Sequence, residues 1–544
     1  MNIRIKNGIV KKNNEPNFKY SHKDYDFIFY GELEYLVDYE NIRVLPINDE
    51  KIHSILKNYV ECLENYNSGL QVITELYGDF VLLLKKNGIV KYIYRCGVEN
   101  KVYYSSALDS ILIDIDLFNV LNELLSYSFS DKEVKNFIRN GYTTPFKTFF
   151  KEIEVLKPYS IYSIDNTALK LFTHVFPGYH TLNQQKEINY SKDDFFKALS
   201  ALIDKESNYS IAYSGGVESR VLAKLYREKI DEYLTMQYKK PYNVYARELE
   251  LYASKFAANK YDKIFSPILT DFKINTKHER NWKHFVSVNP FISHLALHWY
   301  ELCNKSKSKK ILAGMFGDTI WDFGFHQIKL TKGKNNPFAT SGFYLSKKIN
   351  ETIKTILKGN FILAMRRMAS WFISRYLYIK SYNKIRLKKI LQLNRTYDGK
   401  EYNLFRNYPY KLFTFERYLG YCCGQDVAIC YASAKNSKKK IIIPYASPLS
   451  LHVSSHIKRK NYLDIKKTFR SVDSSLSPHL FESEIFDMRN GDNVDNAPIF
   501  KDKFYLKEND LELQIGTVKT FNESKNNVNK YHFKVFIDLM RERL

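Results

Sequence analysis

Cysteine is scarce: six in 544 residues, too few to staple a chain of this length as a disulfide scaffold. Cys422 and Cys423 are adjacent, Cys430 follows seven residues later, and no C-x-x-C occurs, so zinc and thioredoxin-like readings have no support. The opening stretch MNIRIKNGIVKKNNEPN holds no apolar run and does not read as a secretory signal. The most apolar later segment, Phe361 to Ile379, is broken by Arg366, Arg367 and Arg375 and reads as an amphipathic helix, not a membrane span. No repeat of 20–50 residues is visible, which excludes solenoids and propellers. No G-x-x-x-x-G-K-[ST] occurs, which excludes an ordinary P-loop NTPase. The 13 histidines include the H-x-x-x-H spacings His294/His298 and His452/His456, neither of which we take as a metal site. A reduced, cytoplasmic protein is the expectation.

What is present is apolar and basic. An apolar share of 44% supplies real cores and excludes a largely disordered chain, and the length predicts two to four domains. Lys+Arg number 83 against Asp+Glu 59, a formal charge of +24. With 43 Tyr and 37 Phe beside many Lys, Asn and Ile, the composition is also what AT-rich coding produces, which weakens any functional reading of the charge. A basic surface favours an acidic partner without choosing among nucleotide, nucleic acid and anionic lipid. The runs Lys305, Lys307, Lys309, Lys310 and Lys438-Lys439-Lys440 each precede an apolar strand, so solvated flanking loops are the favoured reading over a nucleic-acid or acidic-peptide site.

The chain changes character near residue 190. The first ~170 residues read as mostly β. Val81–Leu84, the turn Lys86-Asn87-Gly88 and Val90–Tyr94 predict a hairpin, with further strands at Val102–Tyr104 and Ser160–Ile164. A polar stretch between Phe176 and Tyr190 reads as a linker. Ser191-x-x-Asp194 then predicts a capped helix with an apolar face of Phe195, Phe196, Leu199, Leu202 and Ile203. Beyond it strand and helix alternate: a strand at Tyr209–Tyr213, a helix marked by Val221, Leu222, Leu225 and Ile230, and a strand at Tyr233–Tyr238. A helix faced by Leu249, Tyr252, Ala253, Phe256 and Ala257 and a strand at Ile311–Ala313 follow. Such alternation predicts an α/β fold with a parallel sheet covered on both faces. Residues 330–430 read as a basic, aromatic, helical insert, and the tail after Asn490 as polar and without an assigned role.

The sharpest chemical signal is Ser214-Gly215-Gly216-Val217-Glu218-Ser219, set between strand and helix. Two glycines let backbone approach an anion, successive N–H groups and the helix N-terminus supply positive potential, and two serines add donors. The bland alternative is a strand–helix turn that favours Gly and Ser.

This hexapeptide resembles the S-G-G-x-D-S pyrophosphate loop of ATP pyrophosphatases, and other segments in the same order narrow the likeness to the asparagine synthetase superfamily. Ile311-Leu312-Ala313-Gly314-Met315-Phe316-Gly317-Asp318-Thr319-Ile320-Trp321 is similar to its L-S-G-E-G-x-D-E-L-F stretch. Glu248-x-x-x-Tyr252-Ala253 resembles its D-E-x-x-Y-A helix, and Pro444-Tyr445 followed by Lys466-x-x-Phe469-Arg470 its P-F-L-D…K-x-x-L-R. In the amino-terminal part, Leu76-Tyr77-Gly78-Asp79-Phe80, Arg95-x-Gly97, Tyr104-Ser105-Ser106-Ala107-Leu108 and Phe149–Pro158 resemble the class II glutamine amidotransferase-like domain. The likeness covers about nine-tenths of the chain, least over 330–430. It implies an Ntn-hydrolase-like β-rich α+β domain over 1–175, a linker at 176–190, and an ATP-pyrophosphatase-type α/β domain over 191–544 that carries the insert.

Departures from the family pattern shape what the resemblance implies. A class II glutaminase uses an N-terminal cysteine as nucleophile and its amine as base. Here Met1 is followed by Asn2 and the first cysteine is Cys62, so glutamine hydrolysis is not expected. β-Lactam synthetases and lasso-peptide cyclases carry such a relic and use an amine already in the substrate. ATP and Mg²⁺ are the implied cofactors, bound by Ser214–Ser219, Met236, Ala313, Gly314 and Arg470, with Glu218 and Asp318 as metal carboxylates. Glu218 replaces the family's Asp, which hard-cation chemistry tolerates. Lys466, or the adjacent Lys467, would stabilise charge on the α-phosphate and acyl oxygen. Met315 stands where relatives place Glu or Tyr, and a thioether moves no proton. The base is then Tyr252 or Glu248, or the chemistry is impaired.

The implied function is ATP-dependent amide formation through an acyl-adenylate, releasing pyrophosphate and AMP. The leading expectation is macrolactam closure of a precursor peptide, whose processing protease would be a partner. Amidation of a saccharide or small-molecule carboxylate is the alternative within the class, and a catalytically degenerate binding protein the alternative outside it. Nucleic-acid binding, which rests on charge alone, comes last.

Overall fold

In the computed structural model the described residues are 1–175 (without 13–14, 66–67, 107–108, 141–142, 145 and 166–167), 177, 190–202, 207–238, 244–270, 283, 286–287, 290–291, 296–317, 365, 426–456 and 527–544. The chain divides into two units, Met1–Asp318 with Arg417–Leu544, and Thr319–Glu416, of which Met365 alone is described. The fold class is mixed α/β, with antiparallel and parallel sheets.

Among the described residues the strands form three sheets. The first joins β1 (Asn2–Lys6), β2 (Ile9–Lys12), β8 (Tyr103–Ser105), β9 (Ile111–Asp114) and β10 (Glu154–Val155), antiparallel in the order β10-β8-β9-β1-β2. The second is built from β3 (Phe18–His22), β4 (Tyr25–Asp38), β5 (Arg43–Leu45), β6 (Leu76–Lys86), β7 (Ile89–Cys96), β11 (Ser160–Asp165) and β12 (Ala168–His174). Its order is β12-β11-β7-β6-β4-β3, with β5 on the end of β4. The two sheets share a core: Ile3 and Ile5 of β1 and Ile111 and Ile113 of β9 meet Ile28, Tyr30, Val81, Leu83 and Ile93 of the second sheet. Helix α1 (Asp49–Glu64) covers the opposite face of the second sheet, where the Tyr20 ring lies 4.9 Å from His53 and Tyr25 donates to Glu64 at 2.8 Å. Leu82 and Leu84 are therefore as buried as Val81 and Leu83, which explains an unbroken apolar run instead of an alternating one. The predicted hairpin forms, and Asn87 and Gly88 take the two left-handed conformations that a two-residue turn between twisted strands requires.

On the outer face of the first sheet lie α2 (Leu117–Asn122) and α3 (Asp131–Asn140). A helix from the far end of the chain, Asn527–Arg543, joins them (α10 in chain order). Phe533 and Phe536 of this helix each sit 5.0 Å from the Phe149 ring, and Arg543 stacks over Phe118 at 4.8 Å while pairing with Asp116. The tail that reads as polar thus ends in an apolar stripe that completes the amino-terminal core. Each buried ring contributes about 1.5–3 kcal/mol by removal from water.

The third sheet is parallel throughout, in the order β15-β14-β13-β16-β17, from β13 (Tyr209–Ala212), β14 (Ile230–Tyr238), β15 (Ile264–Thr270), β16 (Lys310–Ala313) and β17 (Lys440–Ile442). The capping box forms as predicted and starts α4 (Lys192–Ser200): Ser191 Oγ accepts from the Asp194 amide, and Asp194 accepts from the Ser191 amide. Helices α5 (Val217–Leu225) and α6 (Val244–Lys260) follow β13 and β14. Helix α7 (Ala296–Lys305) packs with α8 (Asp426–Asn436), and α9 (Pro448–His456) follows β17. The Tyr209 ring meets Tyr226, at the end of α5, at 5.7 Å. Ser210, which points the other way, is reached at 2.9 Å by Ser306, at the end of α7, so α5 and α7 cover opposite faces.

Two sequence expectations are corrected. Ile230 opens β14 instead of closing the preceding helix, because α5 ends at Leu225 and a short 3-10 turn over Arg227–Lys229 separates the two. On α6 the buried face is Ala253, Ala257 and Ala258, while Tyr252 is 54% and Phe256 38% exposed. Small side chains let that helix approach the sheet, and the large rings are turned out to stack on each other.

One part-buried pair predicts a pH dependence. Ser160 and His174 face each other across β11 and β12, with Ser160 Oγ 2.7 Å from His174 Nδ1. Burial, helped by the Lys157 charge, pushes the imidazole down to about 3. The unfolded chain binds a proton near pH 6.5 that the folded chain refuses, so stability falls as pH drops through that window. His174→Gln removes up to about 1.4 kcal/mol of slope per pH unit between pH 6 and 4. Urea midpoints of the two proteins across that range check this.

Candidate functional site

The third sheet has a topological switch point. From central β13 the chain moves to β14 and β15 on one side, then crosses to β16 and β17 on the other. The carboxyl ends of β13 and β16 at such a point are the usual ligand position in open parallel sheets. The Ser214–Ser219 segment is the loop after β13, and Ala313-Gly314 leaves β16 beside it, Ala313 pairing with Ala212.

Local sequence explains the loop's shape. Beyond β13 the Tyr213 amide still donates to Leu234 (2.8 Å) and its carbonyl accepts from Thr235 Oγ1 (2.9 Å), which holds the chain to β14 up to the turn. Gly215 has φ +76°, and a Cβ there would lie 2.8 Å from Ala253 Cβ of α6, so both backbone and space demand glycine. The Gly216 amide donates to Ser214 Oγ at 3.3 Å. Gly216 opens α5 without a side-chain cap, while its carbonyl accepts from the Arg220 amide and Ser219 Oγ, both at 3.0 Å. Gly216, at the N-cap position, has no side chain to accept from the first-turn N–H groups, and an anion there can do so.

Glu218 sits on that first turn, enclosed by two further loops. A Cβ at Gly314 would lie 3.0 Å from the Ser219 amide and 3.2 Å from Glu218 Cβ, and one at Gly317 2.3 Å from Glu218 Cγ. Tyr445, fully buried after β17, donates its hydroxyl to the Glu218 carbonyl at 3.0 Å. One Glu218 carboxylate oxygen lies 3.5 Å from where a Cβ on Gly216 would stand. A carboxylate this close to an anion-accepting helix start repels a bare polyanion, whereas a cation shared between the two reverses the sign. The Glu218 carboxylate supplies oxygen, the donor type that a hard ion such as Mg²⁺ takes. Among the described residues no group of three or more His, Cys, Asp and Glu side chains is arranged to hold a metal ion, so substrate oxygens would complete such a site.

Of the residues singled out in the sequence, Ser214, Gly215, Gly216, Val217, Glu218, Ser219, Ala313 and Gly314 come together here. Met236 lies on β14 two residues beyond Leu234, the partner of Ala212, and so is level with the loop. The Glu248 backbone belongs to α6, and its side chain lies outside the described residues. Tyr252 is on α6 beside Ala253 and is largely exposed. Asp318, Lys466, Lys467 and Arg470 lie outside the described residues. Met315 touches Cys430 of α8 through sulfur, which gives this thioether a packing partner. The Gly317 contact and the Tyr445 hydroxyl were missed. The glycines of the 314–317 turn carried the signal for the first; for the second the Pro444-Tyr445 motif marked the residue but not what its hydroxyl reaches.

The amino-terminal motifs also converge. A cavity of about 230 Å³ is lined by Met1, Asn17, Tyr30, Asp79, Arg95 and Asn100, among others. Asp79 forms a buried ion pair with Arg95 and accepts the Asn100 amide at 3.0 Å. Arg95 further donates to the Phe80 carbonyl (3.0 Å) and the Asn100 carbonyl (2.8 Å). The Cys96 thiol is buried and pushed up to about 12, which removes it as a thiolate nucleophile. Lys435 of α8 donates to Asn100 Oδ1 at 2.6 Å, and Lys440 of β17 pairs with Glu34 of β4 at 2.7 Å. Burial outweighs the Lys440 charge and leaves the Glu34 carboxyl above its usual range. Tyr190 adds a third tie, its hydroxyl 2.8 Å from His452 Nε2 of α9 and 3.4 Å from the Tyr39 carbonyl oxygen.

No protein-family profile matches the chain, and no curated protein matches it. Among the described residues no helix is long and apolar enough to cross a membrane.

Proposed function

We propose that the chain is an ATP-dependent, AMP-forming ligase that makes a C–N bond, built as an Ntn-hydrolase-like domain followed by an ATP-pyrophosphatase-type domain, in the manner of asparagine synthetases. One observation carries the reading: the loops after β13, β16 and β17 meet around Glu218 at the switch point, beside an uncapped helix start. Backbone amides of Gly215 to Ser219 would hold the β- and γ-phosphates, and Glu218 would hold Mg²⁺, with Asp318 as the second carboxylate of the reading. Bound there, Mg²⁺ would offset triphosphate charge and orient the α-phosphorus.

A substrate carboxylate oxygen attacks that phosphorus, the bond to the bridging oxygen breaks, and pyrophosphate leaves. An amine then attacks the acyl carbon, AMP leaves, and the amine proton passes to a base, Glu248 or Tyr252. Lys466 would stabilise the charge that develops. In this reading the amidotransferase-like half contributes a docking surface instead of ammonia. Closure of a precursor peptide remains the preferred acyl and amine pairing, and amidation of a saccharide or small-molecule carboxylate the second.

Calorimetric titration with a non-hydrolysable ATP analogue tests the nucleotide site without knowledge of the other substrates. Binding that requires Mg²⁺ and disappears in Gly216→Val is expected. Absence of binding at millimolar analogue would sink the reading.

A further inference from the structure

Tyr445 is fully buried, and its hydroxyl is bonded to a carbonyl inside the first turn of α5. That carbonyl already faces the helical ladder, so the turn does not need the extra donor to form. A phenylalanine would fill the same space. The hydroxyl instead ties the loop after β17 to the one turn of α5 that carries Glu218. The same ring lies 3.5 Å from where a Cβ on Gly317 would stand, and that position also abuts Glu218 Cγ. Glu218 is thus met on two sides, its stem by Gly317 from the β16 loop and its carbonyl by Tyr445 from the β17 loop. Glutamate has one more rotatable bond than aspartate, and a longer carboxylate arm needs firmer anchoring to keep one geometry.

We propose that Tyr445 is a positioning residue for the cation-holding carboxylate of Glu218, acting through its hydrogen bond to the Glu218 carbonyl. The inference rests on the nucleotide reading above. Tyr445 touches neither nucleotide nor cation; it sets the backbone from which Glu218 reaches out. Loss of one hydrogen bond in a buried setting corresponds to about a five- to tenfold change in an equilibrium constant.

The test is calorimetric titration of the full chain with the ATP analogue across a series of Mg²⁺ concentrations, for wild type and Tyr445→Phe. The Mg²⁺ concentration that half-saturates analogue binding is expected to rise about five- to tenfold in the variant, with the thermal midpoint of the ligand-free protein within about 2 °C of wild type. Equal Mg²⁺ midpoints would overturn the proposal. So would an affinity loss of the same size at every Mg²⁺ concentration, because the hydroxyl would then serve the amide cradle and not the carboxylate. The wild-type titration stands by itself: no binding there overturns the nucleotide reading, whereas normal wild-type binding with an unaltered variant overturns only the role of Tyr445. Gly317→Ala, which pushes on Glu218 Cγ from the other side, is expected to shift the Mg²⁺ midpoint in the same direction. An unchanged Mg²⁺ midpoint in that variant would count against the two-sided anchoring.

Discussion

Glu232→Ala is expected to destabilise the parallel-sheet half by about 3–5 kcal/mol, the range for removing one partner from a buried charged network. Glu232 is 1% exposed and accepts from Ser210 Oγ at 2.6 Å, Ser266 Oγ at 2.5 Å and the Lys307 amide at 2.9 Å. One carboxylate therefore links β13, β14, β15 and the turn before β16. Lys439 reinforces that turn by donating to the Ser306 and Ser308 carbonyls, both at 3.0 Å. Alanine would strand three donors where water has little access. Glu232→Gln keeps the volume but turns a donor toward donors, so it should recover only part of the loss. Urea denaturation followed by far-UV circular dichroism measures both. A loss under 1 kcal/mol for the alanine variant would show that water reaches the network.

A comparable loss, again about 3–5 kcal/mol, is expected for Arg95→Ala in the amino-terminal half. The side chains of Arg95 and Asp79 are 1% and 6% exposed, and Arg95 serves two backbone carbonyls besides the carboxylate. Without the guanidinium, Asp79 retains the Asn100 donors but loses its directly paired charge. The Phe80 carbonyl also loses its guanidinium donor. Replacing both partners with apolar residues, Arg95→Met with Asp79→Leu, should be less damaging than Arg95→Ala alone, because no uncompensated charge remains. If the double variant is the less stable one, the pair is worth more than its desolvation costs. Thermal unfolding followed in the near-UV distinguishes the two outcomes.

Features that depend on neighbours in sequence were legible there. The Asn87-Gly88 hairpin, the Ser191–Asp194 capping box and the strand-to-helix turn at Ser214–Ser219 each need only a few adjacent residues to be recognised. Features set by distant partners were not. A helical period places Tyr252 and Ala253 on neighbouring positions but does not say which of them meets the sheet, and alanine won because α6 packs close against Gly215. Phe533, Phe536, Ile537 and Met540 have i, i+3, i+4, i+7 spacing that was open to reading, but their partners, Phe149 and Phe118, lie about 400 residues upstream. The Tyr445 hydroxyl and the carboxylate of Glu232 are likewise explained by what they reach, and a one-dimensional pattern carries no such information.

The docking of α10 onto α2 and α3 has a consequence for synthesis. The amino-terminal sheets leave the ribosome well before Phe533 and Phe536, which complete their outer core. At about 5–20 residues per second, roughly 20–70 seconds pass between the emergence of residue 175 and that of the closing helix. Through that interval Phe118, Phe137 and Phe149 await a cover that has not yet been translated. The amino-terminal half therefore reaches its final packing only once α10 has emerged, and a chaperone that shields aromatic surface would find its target there in the nascent chain.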